Sequence, residues 1–261
     1  MRRKIIALIG IASSLFAVVG VRPAFAADTI ETWDVGATDL DFYLGVDGIG
    51  RPKHERETFA DMMLGYGLIK RLSAYFGTTL QCNEYLGDGS GTIYMGMFGT
   101  LAETNHFDLD LFLDVRLGGD AFSELQVTPQ VELNFDLDPQ MRSWGVYLRA
   151  GIPIYGQKIL ASTNSGDLKY RTNIGFATTL GTYWTVSQGH QILLEYDMGI
   201  HPKPNTNSET ETEIGGVALG YNVRVHDSIE LINQIHIDIP QEGEPVAAGI
   251  MIGMIATMPS S

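Results

Sequence analysis

The sequence predicts an all-β protein: a single antiparallel transmembrane β-barrel of twelve strands, preceded by a cleaved N-terminal signal peptide. Three observations support this: segments in which apolar and polar residues alternate, connections that alternate in length, and no long apolar run after the N-terminal leader. The stretch DLDLFLDVRL at 108–117 places Leu or Val at every second position and mostly Asp or Arg between them. Because alternate side chains of a strand point to opposite faces, one face meets an apolar medium and the other meets water or counter-charges.

The first 26 residues have the organisation of a secretory signal peptide. Three basic residues open the chain, an almost wholly apolar run follows at 5–21, and Ala24 and Ala26 provide small residues at the spacing of a cleavage site. An uncleaved membrane anchor is the alternative, although the run is short for a membrane span. The expected regions are a signal peptide (1–26), a periplasmic N-terminal segment (27–38) and the outer-membrane barrel (39–258).

Charge and cysteine content exclude several classes of partner and fold. Cleavage would remove four basic residues and no acidic one, which takes the formal net charge from −14 to −18. So acidic a chain is not expected to bind nucleic acid or anionic lipid surfaces. Its single cysteine, Cys82, excludes an internal disulfide framework and is expected to be buried or to face lipid.

Twelve alternating segments lie between turn signals. Their predicted bounds are 39–48, 57–69, 71–82, 91–102, 106–117, 124–137, 143–154, 169–184, 190–200, 211–224, 228–239 and 246–258. The connections at 70–71, 104–105, 138–141, 187–189 and 225–227 are short, whereas those at 49–57, 83–91, 118–123, 155–167, 201–210 and 240–245 are longer and more polar. Short turns at one end and long loops at the other are typical of outer-membrane barrels, and an even strand number puts both termini at the short-turn, periplasmic end.

The apolar face is expected to meet lipid rather than a protein core. A soluble all-β protein, secreted or periplasmic, is the alternative, but its outer face is usually rich in Lys and Glu, whereas the polar face here is rich in Gly, Tyr, Asn and isolated charges. Trp144 and Trp184 have apolar parity on neighbouring predicted strands and lie near the short-turn end, where an aromatic girdle belongs.

The polar face predicts a barrel interior that carries both acids and arginines. The predicted pore-lining residues are Asp110, Asp114, Arg116, Glu132, Arg149, Arg171, Glu195, Asp197, Arg224, His236 and Asp238. Glycines near the strand centres would leave space for water or for large side chains from the facing wall. These charges could set the selectivity of a narrow pore. Alternatively, they could form an internal network in which they only pair with one another.

One cross-strand pair follows from the turn after the sixth segment. If Asp138 lies opposite Ser143, then Arg149 lies opposite Glu132 on the inner face. An arginine can hold a carboxylate through two hydrogen bonds, so this pair should join the two strands near mid-barrel, with Arg171 and Glu195 continuing a mixed-charge belt.

Catalytic, cofactor and metal signals are weak. Of the six histidines, only His236 lies inside a predicted strand, with Asp238 two positions further on, and this spacing alone does not indicate a catalytic pair. The glycine-rich stretches at 65–67 and 87–91 are not followed by a helix, as a phosphate loop would be. We therefore expect no enzyme, no cofactor and no metal.

Two hairpins carry a family resemblance. GYGLIKRLSAYFGTTL (65–80) and PQVELNFDL…WGVYLRAGIPIYG (129–156) resemble hairpins of outer-membrane transporters assigned to the meta-pathway of phenol degradation. The resemblance implies a small barrel that admits apolar or aromatic small molecules. The chain departs from the usual barrel ending, because ATMPSS lacks a terminal aromatic residue.

The expected function is passive passage of small solutes through a monomeric barrel in the lipid of a Gram-negative outer membrane. A closed structural or adhesive barrel that binds a partner through its loops is the second hypothesis. An outer-membrane lipid hydrolase built around inward or rim histidines is the third.

Overall fold

The protein is described here by a computed structural model that covers residues 32–52, 56–83, 89–118, 124–138, 143–160, 168–202, 210–213, 215–240 and 245–259. The secondary structure of this part is entirely β. In chain order the strands are β1 (Thr38–Ile49), β2 (Glu57–Ile69), β3 (Leu72–Asn83), β4 (Gly89–Glu103), β5 (Phe107–Gly118), β6 (Glu124–Asp136), β7 (Trp144–Gly151), β8 (Ile154–Leu160), β9 (Leu168–Ile174), β10 (Phe176–Ser187), β11 (His190–Pro202), β12 (Thr210–Glu213), β13 (Gly216–His226), β14 (Ile229–Asp238) and β15 (Ala248–Met258). None of the described residues belongs to a helix long and apolar enough to cross a membrane.

These fifteen segments form twelve antiparallel barrel strands. Short irregularities divide three of them, so β7 continues into β8, β9 into β10, and β12 into β13. At the first irregularity, the backbone N–H of Ile152 donates to the carbonyl of Pro129 at 3.0 Å. At the second, the N–H of Gly175 donates to the carbonyl of Pro153 at 2.8 Å. The pairing register is the same on both sides of each of these two breaks, so the barrel strand continues through them.

The sheet closes on itself, because every strand pairs with the next and β1 pairs with β15. Thr38, the first residue of β1, lies opposite Met258, the last residue of β15, so the chain enters and leaves the barrel at the same end. Tight turns such as Lys70–Arg71 and Gln188–Gly189 also lie at this end, which we call the short-turn end. The opposite end is the long-loop end.

The twelve-stranded antiparallel barrel predicted from the sequence is confirmed. The prediction is wrong after its seventh segment: residues 155–160 were expected in a loop, yet they continue the strand as β8. The cause lies in the sequence of β8, IYGQKIL, which lacks a strict alternation of apolar and polar residues. Pairing with β6 nevertheless continues through Ile152–Pro153 in one register, so the strand extends beyond the point where the sequence pattern stops.

The outer surface of the barrel is apolar. In β5, Leu111 and Leu113 are exposed on the outer face, whereas Asp110 and Asp114 are buried on the inner face. Trp144 and Trp184 lie directly opposite each other on the outer face, near the short-turn end. A closed barrel whose outer face is apolar and carries aromatic residues near one edge is built to lie in a bilayer.

Inward-facing glycines are covered by aromatic rings of the adjacent strand. Tyr147 lies over Gly181, and Tyr183 lies over Gly145. The same arrangement pairs Tyr75 with Gly96, Tyr94 with Gly77, and Tyr43 with Gly253. The space above these glycines is thus filled from the neighbouring strand, whereas the sequence had suggested the facing wall or water.

Candidate functional site: the barrel interior

The Glu132–Arg149 pair lies on the inner face in the register predicted from the turn. Arg149 Nε donates to Glu132 Oε2 at 2.6 Å, and a second guanidinium nitrogen also contacts that oxygen. The Glu132 side chain is 1% exposed, so its charge depends on partners inside the barrel. Asn134 supports the pair by donating to Glu132 Oε1 at 3.1 Å. The pair therefore bridges β6 and β7 as a charge-assisted contact.

Three further predicted residues lie beside this pair on β5. Asp110 accepts a hydrogen bond from Asn134 Nδ2 at 3.4 Å. Asp114 accepts one from the Tyr75 hydroxyl at 3.2 Å and lies 3.5 Å from Arg116 Nε. This section of the wall thus combines two arginines with several carboxylates.

Glu195 and Asp197 lie on the inner face of β11, where they accept hydrogen bonds from hydroxyl groups of two other strands. The Tyr147 hydroxyl on β7 donates to Glu195. Thr179 Oγ1 on β10 donates to Asp197 Oδ1 at 2.5 Å. Arg171 lies in β9 opposite Gln157, but its side chain falls outside the described part of the structure. Its expected approach to Glu195 therefore stays a prediction.

The long-loop mouth of the barrel holds His236 and Asp238. His236 Nε2 lies 3.1 Å from Asp47 Oδ1 and 3.8 Å from Asp238 Oδ1. Its ring lies over Gly249 of β15, which lets it reach from β14 to β1. One donor atom from each of these three side chains could face a common point, because the atoms lie within 4.8 Å of one another. Arg51, however, already contacts Asp238 at 3.0 Å as its cationic partner.

Arg224 lies at the other end of the barrel. It is 3.9 Å from Glu230, and more than half of its side chain is exposed. It therefore lies at the short-turn rim, away from Glu132 and Arg149 in the interior.

An inner-wall acidic group was left out of the predicted pore lining. Asp39 accepts a hydrogen bond from Thr257 Oγ1 at 2.6 Å, and Asp41 accepts one from the Tyr43 hydroxyl at 3.3 Å. Asp61 on β2 accepts hydrogen bonds from Thr79 and, at 2.6 Å, from the Tyr94 hydroxyl. Their inward parity was a sufficient signal to include them.

The N-terminal segment packs against the inner wall at the short-turn end. The backbone N–H of Trp33 donates to Ser73 Oγ at 3.0 Å, and its ring packs edge-on against Phe98 with centroids 5.0 Å apart. The ring also covers Gly65. Backbone bonds continue the attachment, with Gly36 N–H donating to Gly67 O at 2.9 Å and Gly67 N–H to Ala37 O at 3.0 Å. No sequence signal singled out Trp33, because residues 32–37 lack strand alternation.

Comparison with known proteins supports the fold. No protein-family model and no curated protein sequence matches the chain. An outer membrane channel from Pseudomonas putida F1 is similar in structure, with a TM-score of 0.63 at 14% identity over 89% of this chain and 99% of that one. The NanC porin gives 0.62 at 10% identity over 83% and 98%, and the KdgM porin gives 0.53 at 8% over 84% and 98%. The chain therefore has the architecture of a porin-like twelve-stranded barrel.

Proposed function

We propose that the protein allows passive passage of small solutes across the outer membrane of a Gram-negative bacterium. The observation that carries the proposal is the inner wall, where charged and polar side chains from most strands face a space enclosed by an apolar exterior. A barrel whose only role was to hold its loops at the cell surface would not need arginines and carboxylates along its interior, because burying charged groups costs free energy. The similarity to porins and channels is consistent with this role.

The pathway would run from the long-loop mouth to the short-turn end. At the mouth, Asp47, Arg51, His236 and Asp238 keep roughly a quarter to a third of their side-chain surface exposed. Arg116 and Arg149 line the same interior and are less exposed than the residues at the mouth. Trp33 then partly covers the lower end.

The finer assignments belong to the same proposal. A signal peptide at 1–26 would direct export, the mature protein would be a monomer in outer-membrane lipid, and no enzymatic step would be involved. Kinship with the transporters of the meta-pathway of phenol degradation would imply apolar or aromatic solutes, and the aromatic side chains of Phe98 and Phe112 inside the barrel fit such solutes.

Purified protein in planar bilayers tests the proposal. We expect discrete conductance steps after insertion, and a solute-dependent block when small aromatic compounds are added to one side. A barrel that inserts, shows heat-dependent gel mobility and yet carries no current would contradict passive passage.

A closed barrel is the second candidate, favoured by the depth of burial at mid-height. Tyr147, Leu193 and Ile232 face inward and are almost fully buried, which shows that side chains fill much of the interior there. The absence of conductance together with loop-dependent binding to a surface would favour this function. The hydrolase hypothesis would need lipid hydrolysis by purified protein that is lost in His236→Ala.

Membrane orientation can be tested separately. In a Cys82→Ser background, cysteines introduced at Asn164, Asn205 and Gly243 should react with an impermeant thiol reagent on intact cells, whereas one at Gln140 should not. These four positions lie outside the described residues, in connections of the two ends. Labelling of Gln140 alone would show that the barrel has the opposite orientation in the membrane.

A further inference from the structure

The inner wall carries more carboxylates than guanidinium groups. Among the side chains that the structure describes, inward acids occur on β1, β2, β5, β6, β11 and β14, whereas inward arginines occur on β5, β7 and β13. The whole chain has a formal net charge of −14. An interior with this balance has a negative potential, which raises the local concentration of cations and lowers that of anions.

Arginines of the interior and of the long-loop mouth already contact acids. Arg149 binds Glu132, Arg116 lies beside Asp114, and Arg51 contacts Asp238. Each of these pairs is close to neutral, so the remaining carboxylates determine the sign of the field.

Asp39 and Asp41 are the clearest such carboxylates. They lie on the inner face of β1 and are each at most 5% exposed. Their hydrogen-bond donors, Thr257 and Tyr43, are neutral hydroxyls, and neither acid forms an ion pair with a described basic side chain. Asp41 Oδ1 is buried and accepts no hydrogen bond. Burial and the neighbouring acid disfavour the ionised form of such a carboxyl group, and a cation that approaches it favours ionisation and is bound in turn.

Aromatic faces lie in the same part of the interior. Tyr75, Tyr94, Phe98 and Phe112 form one cluster, against which Trp33 packs. Two rings already hold cations, because the Arg116 guanidinium lies 5.6 Å from the Tyr94 centroid and the Arg149 guanidinium 5.7 Å from that of Phe112. Rings next to carboxylates recognise organic ammonium groups through the negative face of the ring and the charge of the acid together.

We infer that the passage selects small cations, and organic ammonium compounds in particular, over anions of similar size. This inference rests on the proposed channel function and names its solute class. Asp39 and Asp41 provide the selecting charge on one wall, and the aromatic cluster provides a face for the apolar part of the solute. Rings of acidic side chains give cation selectivity in other channels by the same electrostatics.

The test is the zero-current potential of single channels under a salt gradient. With potassium chloride, and again with tetraethylammonium chloride, we expect the sign for cation preference in the wild-type protein. Asp39→Asn/Asp41→Asn should move the cation-to-anion permeability ratio toward unity. Asp227→Asn is the matched control, since it removes one acid from an exposed turn at the short-turn end and should leave the ratio unchanged.

The outcomes separate the inference from the channel proposal. A conducting wild-type channel with no preference, or with anion preference, overturns cation selection and leaves the channel in place. A folded barrel, verified by its heat-dependent gel mobility, that never conducts overturns the channel and the inference together. If the double variant fails to fold, the sign of the wild-type zero-current potential in the two salts still supports or overturns cation selection.

Discussion

At the scale of single residues, the Glu132–Arg149 contact shows what strand parity and turn geometry together determine. The alternation of each strand predicted that both side chains point inward. The short turn after β6 predicted that the two residues lie directly opposite each other. The glycine–tyrosine contacts could not be predicted in the same way. Tyr147 covers Gly181 only because β7 and β10 pair at one particular register, and a long connection rather than a short turn joins their two barrel strands in the sequence. No local pattern in the sequence fixes that register.

Replacement of Arg149 should weaken the barrel. Arg149→Ala leaves a buried Glu132 without its charge partner, and breaking such a pair costs about 3–5 kcal/mol of unfolding free energy. The variant should also shift ion preference toward cations. Urea unfolding in lipid vesicles, followed by tryptophan fluorescence, measures the first effect, and zero-current potentials measure the second.

Arg71→Ala provides the control for this variant. The Arg71–Glu103 contact of 2.9 Å is nearly half exposed on both sides, and exposed pairs contribute about 0–1 kcal/mol. Equal losses in the two variants, or unchanged stability and selectivity in Arg149→Ala, would refute a structural role for the Glu132–Arg149 pair.

The glycine–tyrosine contacts make a second residue-scale prediction. A Cβ added at Gly181 would overlap the Tyr147 ring, so Gly181→Ala should lower the free energy of unfolding by about 1–3 kcal/mol. Gly91→Ala is the matched control, because its nearest neighbour, Leu80 Cδ2, would lie at an ordinary 3.7 Å. Addition of Tyr147→Leu should reduce the extra cost of Gly181→Ala. Strictly additive losses in the double variant would argue against the contact.

At the scale of elements, the strands were predictable and their interruptions were not. Alternation identified all twelve strands because each must keep one face toward lipid over its whole crossing. Beyond Ile152–Pro153 the sequence no longer alternates, yet the strand keeps its register with β6, and only this pairing shows that it continues. Residues 32–37 escaped prediction for another reason, since their position depends on contacts with Gly65, Ser73 and Phe98 on distant strands.

The N-terminal segment should restrict passage at the short-turn end. Trp33→Ala removes the ring that packs against Phe98 and covers Gly65, so single-channel conductance should rise while the barrel stays folded. Trp144→Ala removes a tryptophan of the outer face and should leave conductance unchanged. Planar-bilayer recordings of both variants decide this. If Trp33→Ala conducts like the wild type, the segment does not restrict the pathway.

At the scale of the whole molecule, function depends on closure. The sequence predicted an even number of strands and hence termini at one end, and the pairing of β1 with β15 realises both. What it could not predict is how full the interior is. That depends on which inward side chains meet across the barrel, and so on the register of every strand pair at once. Burial of Asp39, Asp41, Asp114 and Glu132 is a property of the closed barrel that no single strand shows.

Closure of the barrel by one chain can be tested at the seam. Leu44 of β1 lies directly opposite Ile252 of β15, and both side chains are on the outer face. Residues directly opposite on neighbouring antiparallel strands bring their Cβ atoms within about 4.5–5.5 Å, close to the range in which a disulfide forms. In a Cys82→Ser background, Leu44→Cys/Ile252→Cys should therefore form an intramolecular disulfide on oxidation. The boiled, unreduced protein would then be a closed loop and migrate differently from its reduced form at monomer size.

Leu44→Cys/Ile235→Cys is the control, because Ile235 lies on β14, one strand further away, and should not cross-link. Cross-linked dimers in place of the looped monomer would mean that the seam joins two chains, and would contradict a barrel closed by one chain.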